Sequence, residues 1–314
     1  DTLNNIEKKY PNIEIEKLAK NSVLMPGLIN SHIHLEFSGN TTTLKYGNFY
    51  SWLNSVIKHR EDLISKANTK LILSKLSKMK RTGTTTIGAI SSYSFDLDAC
   101  VKSPLNKVFF CEVIGTKGDM IDTLFADFKD RLNIAKKYKS ANFIPAIAIH
   151  SPYSVHPFLV RETLKLAREE NLPVTSHFLE SREEFEWLHK DEGAFVEFFK
   201  NFLGQEQSVT KPMEFLNLFS NIKNLSFTHC VEASSADFDK IKLLGASVNH
   251  CVTSNRLLNN TKLDLEKLKD IPFTIGTDGL SSNNSLSMFD ELRNVLMTHY
   301  DKNVLEFSNV LLKA

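Results

Sequence analysis

No apolar run in the 314-residue chain approaches the ~20 residues a membrane-spanning helix needs. Nor is there an excess of charge: 38 Lys and Arg stand against 37 Asp and Glu, for a formal net charge of +1. The first absence excludes a helical membrane span. The second excludes a surface built to neutralise a nucleic-acid backbone, so neither membrane nor nucleic acid is expected as a partner. Cysteine is scarce. Cys100, Cys111, Cys230 and Cys251 form no C-x-x-C pair, which argues against a disulfide framework and against a thiolate zinc knuckle. Residues 1–20 are polar and charged rather than signal-like, and the cytoplasm is therefore the expected compartment. The chain opens at Asp1 without an initiator Met and ends at Ala314 straight after an apolar helical stretch, so either end can be incomplete. No low-complexity segment or internal repeat divides it.

What is present is 42% hydrophobic residues, enough for one large core, arranged as short β-branched or apolar runs alternating with longer helical patterns. Eight such runs can be read: Leu28 to His34, "TTTIGAI", "KVFFCEVIG", "FIPAIAIH", "PVTSHFLES", "LSFTHCVE", "SVNHCV" and "FTIGTDG". Helical patterns fall between them, near Ser51 to Asp62, Thr69 to Arg81 with Gly83 as its C-terminal stop, Asp119 to Tyr138, and from Pro157 onward. That order predicts an α/β protein with parallel strands, closed as a (β/α)8 TIM barrel. A doubly wound open sheet is the alternative.

The polar residues gather at one end of this scheme. His32 and His34, His150, His177 with Glu180, His229, His250 and Asp278 all fall at or just after the C-terminal ends of the strands, the catalytic face of such a barrel. His32 and His34 are two residues apart on a strand, so both project from one face and can chelate one centre. By itself an H-x-H pair is weak evidence, because histidine also serves as an ordinary hydrogen-bonding residue. His177 at the end of the fifth strand and Asp278 at the end of the eighth strengthen it. Three neutral imidazoles and one carboxylate suit a single divalent metal, Zn²⁺ or Fe²⁺, with a position left for water. Glu180, three residues beyond His177, is placed to shuttle a proton without ligating the ion, and His229 to hold the nucleophile. The plainer reading of Glu180 is an acid at a helix start.

These residues carry a resemblance. "PGLINSHIHLE", "TSHFLES", "FTHC" and "GTDGLSSN" resemble the four metal-site motifs of the amidohydrolase superfamily, in its branch of nucleoside deaminases and chlorohydrolases. The resemblance runs from about Val23 to the end of the chain. It implies a barrel over residues 23–314 and makes residues 1–22 an N-terminal segment of an incomplete β-sandwich. It further implies His32, His34, His177 and Asp278 as metal ligands, with Glu180 and His229 as the acid–base and water-orienting pair. Binuclear members bridge two ions with a modified Lys on strand four; "FIPAIAIHSP" presents His150 and no Lys, so one metal is expected.

Finer wording, "HIHLEFSG", "NFYSWLNSVIKHR", "GTTTIGAI" and "FFCEVIG", is similar to the aminofutalosine deaminases of the futalosine route to menaquinone. This implies hydrolytic loss of ammonia from a 6-aminopurine nucleoside, with Glu180 delivering a proton to ring N1 and Asp278 assisting collapse of the intermediate. Adenosine, methylthioadenosine and S-adenosylhomocysteine deaminases, and a triazine-type chlorohydrolase or aminohydrolase, use nearly the same site and stay open as alternatives. A non-enzymatic barrel with a structural metal is more distant. For substrate contacts, Glu36 would share the face of His32 and His34 if the strand continued, and could accept hydrogen bonds from ribose; a solvated loop acid is the other reading. His150 could contact ring or ribose or be structural, and Trp52 could line the pocket or sit in the core. Arg60 could reach an anionic group, although a solvated helix face suits it better. The sequence is compatible with a homodimer without selecting one.

Overall fold

The computed structural model describes residues 2–41, 43–268 and 270–311. Its strands are β1 (Leu28–Ile33), β2 (Thr84–Ser91), β3 (Asn106–Val113), β4 (Phe143–Ile149), β5 (Val174–Phe178), β6 (Leu225–His229), β7 (Ser247–His250) and β8 (Phe273–Ile275). They form one eight-stranded sheet in sequence order, each parallel to the next. Parallel strands covered on both faces must be apolar on both, which is why β4 reads FIPAIAI and buries Phe143 and Pro145 through Ile149.

Crossover helices supply the outer layer. Helix Thr69–Arg81 turns Ile72, Leu76 and Met79 inward, at the spacing of one helical face. Asn68 accepts the Leu71 N–H at its start. At its end Gly83 takes φ +91°, a left-handed conformation that lets the chain leave the helix and enter β2 directly.

The ring closes between β8 and β1 by side chains as well as backbone. Asn30 Nδ2 donates to Thr277 Oγ1 at 2.7 Å and Asn30 Oδ1 accepts the Thr277 N–H at 3.0 Å. Ser31 Oγ donates to the Ile275 carbonyl at 2.9 Å, and the Asp278 N–H to the His32 carbonyl at 3.0 Å. Gly276 permits this approach, because a Cβ there would stand 2.8 Å from His32 Cβ. The open-sheet alternative is thus set aside in favour of an eight-stranded α/β barrel. Residues 2–27 hold one helix, Leu3–Lys9, with no buried residue, and no strand of a sandwich. Among the described residues no helix is long and apolar enough to cross a membrane.

Candidate metal centre and its cavity

The C-terminal ends of the strands bring together most of the polar residues singled out in the sequence. The Nε2 atoms of His32 and His34 lie 3.2 and 3.3 Å from Nε2 of His177, and 3.8 and 3.6 Å from Asp278 Oδ1. His177 Nδ1 donates to the His150 carbonyl at 2.8 Å, which leaves the Nε2 lone pair directed at the other two imidazoles. Lone pairs so close repel one another unless a cation lies among them. Two nitrogens each ~2.05 Å from a tetrahedral ion are ~3.3 Å apart, so the observed spacing fits a first-row divalent metal, and three imidazoles with one carboxylate are the matching donors. The residues present fit such an ion.

The surroundings agree with that charge pattern. Burial, followed by the neighbouring His150 and His34 rings, holds His177 down to about 3, and burial with His177 and His34 keeps His32 well below the usual imidazole range. For Asp278, burial works upward, but His34, His32 and His229 outweigh it and the carboxyl is held well below the ordinary range. Its Oδ2 accepts from Ser254 Oγ at 2.8 Å and Ser282 Oγ at 2.7 Å, and its Oδ1 accepts the Gly279 N–H at 2.9 Å.

Glu180 and His229 complete the cluster. The Glu180 carboxylate is 3.4 Å from His229 Nε2, and among the described residues it has no structural hydrogen-bond donor of its own. Burial first, then the carboxylates of Asp278 and Glu184, push it well above the usual range. His229 Nδ1 is bonded to Asn255 Oδ1 at 2.9 Å, so with Nδ1 donating, Nε2 is free to accept. Glu180, His229 and Asp278 present ligand-type atoms within 4.8 Å of one another. Leu179, His229 and Asp278 have φ of 46°, 71° and 58°, left-handed values that cost a side-chain-bearing residue energy and recur where a strand end must re-aim a functional group.

A cavity of about 450 Å³ opens above this cluster. His150 and Trp52 line it, as the sequence allowed. His150 Nδ1 bonds Ser154 Oγ at 2.6 Å, and Trp52 Nε1 donates to the Ser281 carbonyl at 2.8 Å, pinning the indole to the loop that carries Asp278.

Glu36 corrects its expected role. β1 ends at Ile33, the alternation stops, and Glu36 swings under the loop after β2. Its carboxylate accepts the N–H groups of Ser92 at 2.7 Å, Tyr93 at 3.1 Å and Phe95 at 2.9 Å, and it is buried outside the cavity lining. A further carboxylate that does reach the cavity, beside Glu180 and Asp278, is Glu112 on β3, which sequence reasoning missed. Ser92 Oγ donates to its Oε2 at 2.5 Å, while Oε1 is buried without a partner 3.9 Å from His177 Nδ1. An acid inside the apolar run "FFCEVIG" was the available signal.

Comparison with known proteins follows the same lines. A sequence model of the amidohydrolase family matches residues 23–314. The aminodeoxyfutalosine deaminase of Nitratiruptor sp. is 47% identical over 312 residues, spanning 99% of this chain and 76% of that protein. An adenosine deaminase of Helicobacter pylori is 34% identical over 313 residues, spanning 97% and 75%. Among solved structures, the Helicobacter pylori aminofutalosine deaminase in complex with methylthio-coformycin aligns at a TM-score of 0.91 and 32% identity, over 99% of this chain and 77% of that one.

Proposed function

Since the chain belongs to the amidohydrolase family, we propose that it is a hydrolytic deaminase of 6-aminopurine nucleosides, converting 6-amino-6-deoxyfutalosine to futalosine and ammonia. The observation that carries the deaminase reading is Glu180, a buried carboxylate 3.4 Å from His229 and grouped with it and Asp278; Glu180 and His229 are a fifth and sixth polar group beside the three imidazoles and the carboxylate that suffice for the ion. A closed structural metal site has no use for such a group. The likeness to the Nitratiruptor enzyme supports the finer choice of substrate.

His32, His34, His177 and Asp278 would hold one Zn²⁺ or Fe²⁺, whose Lewis acidity, when bound, brings the pKa of water from 15.7 down to ~7. Glu180 takes a proton from the attacking water and delivers it to N1 of the purine as oxygen adds to C6. His229, its ring fixed by Asn255, accepts a hydrogen bond from that oxygen through Nε2. Asp278 then receives the hydroxyl proton and passes it to the departing amine, so ammonia leaves as the C6 carbonyl forms. Ser254 and Ser282 hold Asp278 in place for this step.

Adenosine is the second reading, favoured by the Helicobacter pylori relative of that name. Ammonia release from aminofutalosine, adenosine, methylthioadenosine and S-adenosylhomocysteine by metal-replete protein separates the two. Aminofutalosine should give the highest kcat/KM. Faster turnover of adenosine would overturn the specific substrate, and no turnover of any of them would overturn the class.

A further inference from the structure

The cavity is divided by charge. Its acids, Glu112, Glu180 and Asp278, all contact the histidine cluster at the floor. Its cations are Arg60 and Lys117, both exposed, and Arg60 is hydrogen-bonded to the side chain of Tyr93. Between floor and cations the wall is largely apolar.

Helix Phe49–Lys66 gives this arrangement a length. Trp52, Leu53, Val56, Ile57 and Arg60 all line the cavity, and their spacing is that of a single helical face. Trp52 is tied to the loop of Asp278 through Ser281, at the catalytic end. Arg60 comes eight residues later, about 12 Å along the axis at ~1.5 Å per residue. Its guanidinium stands over the Tyr93 ring, 5.9 Å from the centroid, and Tyr93 is held by the Glu36 anchor described above. A cation beside an anchored aromatic ring, hydrogen-bonded to that ring's hydroxyl and with further guanidinium N–H groups to spare, is suited to a planar oxyanion.

We propose that Arg60 forms a subsite for a carboxylate carried at the far end of an apolar arm on the 5′ side of the nucleoside, with the aromatic and aliphatic wall packing the arm. This rests on the deaminase reading above. A phosphate attached directly to the 5′ carbon would be too near the ribose to cross the apolar stretch, so the subsite is assigned to an extended carboxylate. Lys117, from the loop after β3, lines the same cavity and adds to its positive potential.

The test compares aminofutalosine, which ends in an aryl carboxylate, with its carboxamide and with methylthioadenosine, which shares the purine and ribose but carries no anion. In Arg60→Gln the KM for aminofutalosine should rise roughly 10- to 100-fold more than that for methylthioadenosine, the worth of a charge-assisted hydrogen-bonded pair. The carboxamide should show no such differential, and Arg60→Lys should fall between, keeping charge without the fork. Calorimetric titration with futalosine should show the same loss of affinity without turnover. Equal effects on the two nucleosides, or none on either, would overturn the subsite while leaving the deaminase intact. Failure of the parent enzyme to deaminate either one would instead overturn the deaminase reading, and the subsite with it.

Discussion

Replacing Glu36 by Gln separates the loop-anchoring role seen in the structure from the ribose contact expected from the sequence. In the structure the carboxylate accepts three backbone N–H groups, from Ser92, Tyr93 and Phe95, using both oxygens. Glutamine keeps one acceptor and turns an NH₂ group against a backbone donor. One or two hydrogen bonds are lost, at about 0.5–1.5 kcal/mol each, and the amide and the backbone N–H it faces are left as buried unpaired donors, so the expected cost is about 3–5 kcal/mol. With an unfolding entropy of ~2.1 cal/mol/K per residue, a chain of this length melts about 5–8 °C lower. Burial, followed by the nearby Asp96 carboxylate, pushes Glu36 up to about 8 while its three N–H donors pull it back. Calorimetric melting should therefore be compared at pH 5 and pH 8.5: a carboxyl raised in this way loses its stabilising contribution as pH rises toward 8, so the deficit of Glu36→Gln should narrow at the higher pH. Because the loop carries Tyr93, KM for aminofutalosine should rise together with the loss of stability. A Glu36→Gln protein that melts within a degree of the parent but binds ribose-containing ligands poorly would refute the anchoring argument and restore direct contact with the sugar.

Chelation should lower the melting temperature and abolish activity, with either Zn²⁺ or Fe²⁺ restoring both; His177→Ala should fail to retain metal by elemental analysis. Glu180→Gln should keep its metal and lose about 10²–10⁴-fold in kcat, the range for a removed general acid–base. Asp96 is buried with one oxygen on Ser91 Oγ and the other unpartnered, and burial raises it to about 7. A carboxyl raised above its unfolded value stabilises the fold while protonated and loses that contribution as pH rises through 7. Asp96→Asn should accordingly gain melting temperature on the parent between pH 5 and pH 8.5, and a difference independent of pH would count against this. Trp52 lines the cavity whereas Trp187, the second tryptophan, is buried against Phe199, so futalosine should change the fluorescence of the parent but not of Trp52→Phe.

The barrel was legible because its strands are buried on both faces and therefore stand out as apolar runs: "KVFFCEVIG" became β3 and "FIPAIAIH" became β4, each within two residues of the reading. The metal cluster was legible for a related reason, since strand ends are the positions where a polar residue after an apolar run projects into the barrel mouth. Glu36 was misplaced because the two-residue alternation was carried past the point where β1 stops. Arg60 was read as solvated and is exposed; what the local pattern does not say is that its turn of the helix also overlooks a cavity built from other segments. Glu112 was missed because a single acid within a β-run gives no hint of which barrel face it occupies. In each case the missing information was long-range, supplied by strands and loops distant in the chain.

The seam between β8 and β1 has a consequence for how the protein holds itself closed. His32 and His34 come from the first strand and Asp278 from the end of the last, so three of the four donors straddle the place where the ring shuts on side-chain hydrogen bonds and a glycine. An ion bound there has affinity only for the shut ring, and by mass action it adds its binding free energy to the stability of that seam. The metal would therefore act as a clasp as well as a catalyst. Amide hydrogens around Asn30, His32 and Asp278 should exchange first when it is withdrawn, and a cell short of metal would hold this barrel in a form that breathes at one joint.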